Sequence, residues 1–180
     1  MDNIPGLYYF DNVVEHHNII RLLDEDLDTP WKPITSSQNS RKVKHYGFAY
    51  NYRKTTAKEK LADIPDYLQV YKDTLEKTVL ENLGVVVDFN QCIINNYEPG
   101  QSISKHIDSP AFGPIIGCYS IGDTTIGGKM RFTCDGMDKV DIHVKPGSLY
   151  LMSGDARYKW SHEMLKNKNG RRISITFRSI

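Results

Sequence analysis

Two kinds of hydrophobic spacing divide this chain near residue 85. Before that point apolar residues recur at helical intervals between stretches of alternation. "GLYYFDNVV" (6–14) reads as a strand, and "VEHHNIIRLLDEDL" (14–27) places Ile19, Ile20, Leu22, Leu23 and Leu27 on one helical face. A Pro/Ser/Asn-rich loop, "TPWKPITSSQNS", follows. "KHYGFAYNY" (44–52) then alternates, which predicts a strand with Tyr46, Phe48, Tyr50 and Tyr52 sharing a face. The spacing of Leu68, Tyr71, Leu75, Val79 and Leu83 predicts a second helix from about Asp66 to Leu83, introduced by Pro65 and stopped by Gly84.

From residue 85 onward short apolar runs alternate with glycine-containing turns. Strands are expected at about 91–97, 103–107, 115–121, 129–134, 139–144, 148–153 and 172–178. Many short strands with regular turns read as a β-sandwich or jelly roll, with the two helices covering one sheet. The fold class expected is therefore α+β, in a single domain.

Composition narrows the class without naming a chemistry. The chain has 180 residues, 39% hydrophobic and 25% charged, with a net charge of +1. That balance excludes a simple polybasic nucleic-acid binder but allows local basic patches. Cys92, Cys118 and Cys134 are odd in number and lack CxxC spacing, so reduced, mostly buried thiols are expected. No apolar run approaches the length of a membrane span, and the N-terminus lacks the basic-then-apolar order of a signal peptide. An intracellular location, cytoplasm or nucleus, is the expectation, with no membrane partner and a monomeric state.

One triplet changes the picture. In "SKHIDSP" (104–110), His106 and Asp108 flank Ile107, and in an extended segment their side chains leave the same face. An imidazole and a carboxylate aimed at one spot form two-thirds of a metal site; the alternative is two polar residues at a strand end. Two His and one carboxylate on one face of a metal would leave positions open, as in non-haem Fe(II) oxygenases. The third ligand stays open on the residues alone. His16 and His17 sit on the first helix, His143 in "DIHVKPG" is expected to face solvent, and His45 could line a pocket. His162, in "RYKWSHEM", is favoured by position, because it precedes the final strand.

That final strand adds an independent signal. In "RISITFR" (172–178), Arg172, Ser174, Thr176 and Arg178 share one face, while Ile173, Ile175 and Phe177 share the other. Two inward arginines have no use in an ordinary core, yet they suit a small dicarboxylate. The alternative is an inverted strand with its arginines in solvent. Asn95 and Tyr97, two apart in "IINNY", could reach the same anion.

Taken in order, N-x-Y-x-P-G (95–100), H-x-D (106–108), "YSIG" (119–122), "PGSLYLMSGDARYKWSH" (146–162) and R-x-S-x-T-F-R (172–178) resemble the AlkB family of Fe(II)- and 2-oxoglutarate-dependent dioxygenases. The resemblance implies a double-stranded β-helix, with N-terminal helices packed on one sheet. It implies His106, Asp108 and His162 as iron ligands and catalytic centre. It also implies that Arg172, Ser174 and Arg178 hold 2-oxoglutarate with help from Asn95 and Tyr97, and that O2 is a cosubstrate. Residues 85–180 would be the catalytic core, and 1–84 an extension carrying a substrate lid at about 37–60.

"SRKVKHYGFAYNY", "LADIPDYL" and "SGDARYKWSH" look most like the AlkB-type domain of tRNA wobble-uridine hydroxylases. Nucleic acid, RNA rather than DNA, is the implied partner, with demethylation or hydroxylation of a modified base as the reaction. Cations and aromatics in Arg41, Lys44, His45, Tyr46 and Phe48 are candidate substrate contacts, the alternative being a stripe packed on the core with a solvated cationic rim; Arg157, Tyr158 and Trp160 could contact substrate or equally support the metal ligand. Two other readings remain: a dioxygenase acting on a protein side chain, and an inactive RNA-binding module.

Overall fold

Pro65, with φ −70°, opens the long helix at Asp66, where a missing N–H costs nothing; Gly84, at φ 67°, closes it with its N–H on Leu80 O at 3.0 Å. Between them Leu68, Tyr71, Leu75 and Val79 form the buried stripe that the sequence spacing predicts. In the computed structural model, which describes residues 4–37, 39–122, 127–166 and 170–180, this stripe lies against the larger of two facing sheets.

In chain order the elements are β1 (Leu7–Phe10), α1 (Ile19–Glu25), β2 (Lys32–Pro33), β3 (Lys42–Tyr46), β4 (Phe48–Asn51), β5 (Thr56–Lys60), α2 (Asp66–Leu83), β6 (Gln91–Tyr97), β7 (Ile103–His106), β8 (Ile116–Gly122), β9 (Gly128–Thr133), β10 (Val140–Val144), β11 (Ser148–Met152), α3 (Gly154–Tyr158), β12 (Ser161–Met164) and β13 (Arg172–Arg178). The major sheet runs β1-β11-β8-β13-β6-β3-β2, the minor sheet β10-β9-β12-β7, and β4 and β5 form a separate hairpin. Neighbouring strands pair antiparallel.

One core cluster fills the space between α1, α2 and the outer face of the major sheet, with Ile94, Tyr119, Leu149, Ile173, Ile175 and Phe177 fully buried. A second lies between the sheets, where Tyr97, Cys118 and Tyr150 meet Met130, Phe132, Ile142 and Met164. This is the expected jelly roll with helices on one sheet. Strand β13, paired on both sides along its whole length, splits by parity. Its Ile173, Ile175 and Phe177 pack under the helices, and Arg172, Ser174, Thr176 and Arg178 turn into the space between the sheets, buried to 3–8% exposure. The inverted alternative does not hold.

Local departures have local causes. Helix α1 is shorter than its pattern, because the N–H groups of Val13 and Val14 bond Gly147 O instead of turning into a helix, and Leu27 is left 82% exposed. The aromatic stripe is broken by Gly47, at φ 75°, where a Cβ would lie 1.9 Å from Asn90 O. Tyr46 therefore ends one strand and Phe48 begins another. Strands β2, β5 and β12 and the short α3 lie outside the predicted set.

Gly117 lets β8 approach α2, since a Cβ there would meet Leu75 Cδ1 at 2.3 Å. Gly117→Ala should overpack this contact and destabilise the protein by about 1–3 kcal/mol, read from the denaturant midpoint, while metal stoichiometry stays unchanged.

Candidate metal centre

Strands β7 and β12 pair antiparallel at the end of the minor sheet, and their register sets His106 opposite His162. The two rings sit 4.4 Å apart between centroids. β7 ends at His106; Ile107 turns outward, 44% exposed, and Asp108 turns back inward, 9% exposed. One ligand atom from each of His106, Asp108 and His162 lies within 4.8 Å of the others. The Asp108 Oδ2 to His162 Nε2 distance is 3.7 Å.

Each ligand is prepared by its surroundings. The Nδ1 of His106 is 2.8 Å from Ser104 O, and a carbonyl only accepts, so that nitrogen carries the proton and Nε2 keeps a free lone pair. Burial pushes His162 down to about 4, so it is a neutral ligand at physiological pH. Burial alone would raise the Asp108 carboxyl, but the Arg178 guanidinium beside it, with Arg157 behind, holds it well below the usual carboxylate range. Arg178 Nη2 donates to Asp108 Oδ1 at 2.9 Å, which leaves Oδ2 toward the histidines.

The segment that carries Asp108 is pegged by Arg157 of α3, which is 2% exposed. Its Nη1 donates to Asp108 O (2.9 Å), Nη2 to Ser109 O (2.7 Å) and Phe112 O (3.2 Å), and Nε to Gly113 O (3.2 Å). The guanidinium thus satisfies carbonyls along a turn that has no sheet partner.

Beside the triad lies a polar cradle. Arg172 Nε donates to Ser120 Oγ at 3.0 Å, and its guanidinium stands over the Tyr97 ring. Among the described residues Arg172 Nη2 and Arg178 Nε and Nη1 are buried without a hydrogen-bond partner. Unmet guanidinium N–H groups in a protein interior are costly, so these donors fit an anion seated between them. Asn95, Tyr97, Ser174, Thr176, Cys118 and Tyr150 are among the other lining residues. A cleft of about 270 Å³ opens outward from His106, Asp108 and Arg178, with Arg41, Tyr50, Tyr52 and Phe112 among its walls.

Of the residues anticipated at the site, the structure brings together His106, Asp108, His162, Asn95, Tyr97, Arg172, Ser174 and Arg178, with Arg41 on the cleft. Others lie elsewhere. Lys44 and Tyr46 occupy the opposite parity of β3: Lys44 Nζ bonds Asp26 O at 2.8 Å, and Tyr46 OH bonds Asp26 Oδ2 at 2.7 Å. Both are buried and do not line the cleft. The His45 ring accepts the Tyr50 N–H and meets Tyr52 OH, behind the cleft wall. Phe48 lines neither cavity. Arg157 is the turn's peg, Trp160 is buried in the inter-sheet core, and Tyr158 packs its ring on Arg157 in solvent. Ser120, Cys118, Tyr150 and Phe112 were not anticipated. The first two alternate along "CYSIG", opposite Ser174 and Thr176, which was the available signal.

A family model described as the 2OG-Fe(II) oxygenase superfamily matches residues 12–178. The chain belongs to this superfamily. Within it the relatives are AlkB-type. The tRNA (carboxymethyluridine(34)-5-O)-methyltransferase alkbh8 of Xenopus tropicalis is 33% identical over 91% of this chain, which covers 26% of that protein. The Alkylated DNA repair protein ALKBH8 homolog of Arabidopsis thaliana is 28% identical over 99% of this chain and 59% of its own length. This oxygenase thus spans a quarter to three-fifths of these curated relatives. The solved structure of OsALKBH1 superposes with a TM-score of 0.77 at 13% identity, covering 98% of this chain and 97% of that one. The oxygenase is a 2-oxoglutarate-dependent dioxygenase that uses Fe(II), 2-oxoglutarate and O2. The donor set fits both groups: three N/O ligands at one point, and orphaned guanidinium donors for a dicarboxylate. Among the described residues no helix is long and apolar enough to cross a membrane.

Arg157→Ala should leave four carbonyls unmet and loosen the turn bearing Asp108. Fe(II) affinity is expected to fall roughly 10- to 100-fold, measured by equilibrium dialysis.

His45 gives a pH signature. Burial, aided by Arg178 and Lys32, pushes it down to about 4, against about 6.5 in an unfolded chain. Between those values the unfolded state alone takes up the proton. The stability contribution is therefore complete above about pH 6.5 and is lost as pH falls toward about 4. His45→Gln, which keeps an acceptor for Tyr50 N–H, should flatten that part of the urea-midpoint profile.

Proposed function

We propose that this oxygenase hydroxylates or demethylates a modified base in RNA, a tRNA wobble uridine being the favoured substrate. The observation that carries the reading is the adjoining of three features: the His106–Asp108–His162 cluster, the unmet donors of Arg172 and Arg178, and an aromatic cleft opening over them. In this reading His106, Asp108 and His162 hold Fe(II). Arg172, Ser174, Tyr97, Asn95 and Arg178 hold 2-oxoglutarate. When bound, iron, 2-oxoglutarate and O2 supply an oxidant for a C–H bond, with succinate and CO2 released.

The chain's own residues then select and orient the substrate. Tyr50 and Tyr52 meet edge to face, 4.9 Å apart, and Tyr50 lies 5.0 Å from Phe112. Such walls suit an unstacked base, which is how single-stranded RNA is commonly read. Arg53 and Lys54 at the tip of the β4–β5 hairpin are exposed and suit phosphates. The segment at about 37–60 serves as the substrate lid, 85–180 as the catalytic core, and 1–180 as one catalytic unit. Kinship with a protein named for tRNA carboxymethyluridine favours the wobble position. Oxidation of an N-methyl group would release formaldehyde, whereas oxidation of a uridine side chain would leave the hydroxyl in place.

Incubation of total tRNA and of methylated RNA and DNA oligonucleotides with Fe(II), 2-oxoglutarate and the protein, followed by nucleoside mass spectrometry and succinate assay, tests this. A +16 Da product on a tRNA uridine, lost with His106→Ala and Tyr52→Ala, is expected. Succinate release with a protein substrate but with no nucleic acid would overturn the reading.

A further inference from the structure

Arg41 precedes β3 and comes from the segment read as the substrate lid, yet it touches the cosubstrate side. Its Nε donates to Asn95 Oδ1 at 3.0 Å. Asn95 is buried in the middle of β6, opposite Val43 on one side and Ser174 on the other. A primary amide offers an acceptor and a donor on opposite sides, and a guanidinium can only donate. Arg41 therefore fixes which way the amide stands: Oδ1 toward Arg41, and Nδ2 toward Ser174 Oγ, 3.5 Å away, and the cradle of Arg172 and Arg178. In the opposite orientation an amide oxygen would face the carboxylates of the dicarboxylate and repel them.

Among the described residues no other hydrogen bond to the Asn95 side chain sets this choice. Ser174 Oγ can donate or accept, so it would tolerate either orientation. The guanidinium of Arg41 has no carboxylate partner within ion-pair distance among the described residues, and it also lines the outer cleft beside Tyr50 and Tyr52. One side chain thus borders the substrate cleft and sets a polar group of the inner cavity.

We infer that Arg41 is a positioning residue for 2-oxoglutarate, acting through Asn95 by locking its amide with the NH2 turned to the cosubstrate. The inference rests on the reading of Asn95 as a 2-oxoglutarate contact. Its consequence is that the lid segment influences cosubstrate affinity before any substrate is present.

A double-mutant cycle on Arg41 and Asn95 tests it without turnover. 2-Oxoglutarate is titrated calorimetrically into the Fe(II)-loaded protein in the absence of O2, for the parent, Arg41→Ala, Asn95→Ala and the double variant. Iron content and unfolding midpoint report that each variant is folded and loaded. Arg41→Ala should weaken 2-oxoglutarate roughly tenfold in the parent background and have little further effect once Asn95 is alanine. An equal loss in both backgrounds would mean that Arg41 acts through its charge alone, and would overturn the inference. Unchanged affinity in Arg41→Ala would overturn it as well. If Asn95→Ala leaves affinity unchanged while Arg172→Ala abolishes it, the inference falls at Asn95 and the wider 2-oxoglutarate reading stands.

Discussion

Burying the Asp108 carboxylate between the sheets requires a cation beside it, and Arg178 supplies one at 2.9 Å. This pair sets the terms for everything around it. Among the described residues three buried guanidiniums, Arg157, Arg172 and Arg178, surround a region with one buried carboxylate. Arg157 spends its donors on neutral carbonyls, and Arg172 on a hydroxyl and an aromatic face. Only Arg178 meets a carboxylate, and it keeps two N–H groups unmet. Such an arrangement gains little stability over an apolar core, and breaking one partner costs several kcal/mol. What it supplies is chemical: unmet positive donors that fit an anion, and a carboxylate kept ionised beside two histidines.

The two halves of the site are held with different stiffness. The cradle stands on β13, which is paired through all seven residues to β6 on one side and to β8 on the other, with apolar packing beneath it. The ligands stand on a weaker frame. Strand β7 is the terminal strand of the minor sheet, its pairing with β12 shifts register after His162, and Asp108 lies past its end. Bulges of this kind recur beside active sites, where they re-aim side chains. Arg157 compensates by fastening the turn after β7 from a neighbouring helix. The arginine cradle is thus built into the sheet, and Asp108 is braced from outside it.

What could be read from the chain follows this division. Period-two alternation gave the arginine face of β13 correctly, because a strand buried on both sides leaves parity as the only freedom. The α2 helix was legible to both ends, since Pro65 and Gly84 mark its limits. Helix α1 was overread because Val13 and Val14 are claimed by a tertiary partner, Gly147, that spacing cannot reveal. His106 and Asp108 announced themselves locally. His162 did not, because its place depends on β12 pairing with β7 across more than fifty residues, a partner that the Trp160, His162, Met164 alternation of "WSHEM" does not name. For Arg157 the sequence leaves two readings open, substrate contact and support of the metal ligand, and its bonds to the turn bearing Asp108 favour the second. A charged residue beside a ligand looks functional until four carbonyls are found around it.

The basic-aromatic run from Arg41 to Lys54 shows why the residues that wall the cleft are harder still to read. Strand β3 divides the run: Val43 and His45 pair with Asn95 and Ile93, whereas Lys44 and Tyr46 face the helices and bind Asp26. Gly47 then resets parity, so Tyr50 and Tyr52, not Tyr46, reach the cleft. The hairpin that carries them belongs to neither sheet. It hangs from Gly47 and Ala62, from the His45 ring, and from Ser109 Oγ, which donates to Thr55 O at 3.0 Å. Ser109 follows Asp108 directly, so the hairpin that walls the cleft is tied to the turn that carries a member of the metal-binding triad. A change in the hairpin's length or aromatics can therefore alter what the cleft admits without touching β13, but it cannot be independent of how Asp108 is held.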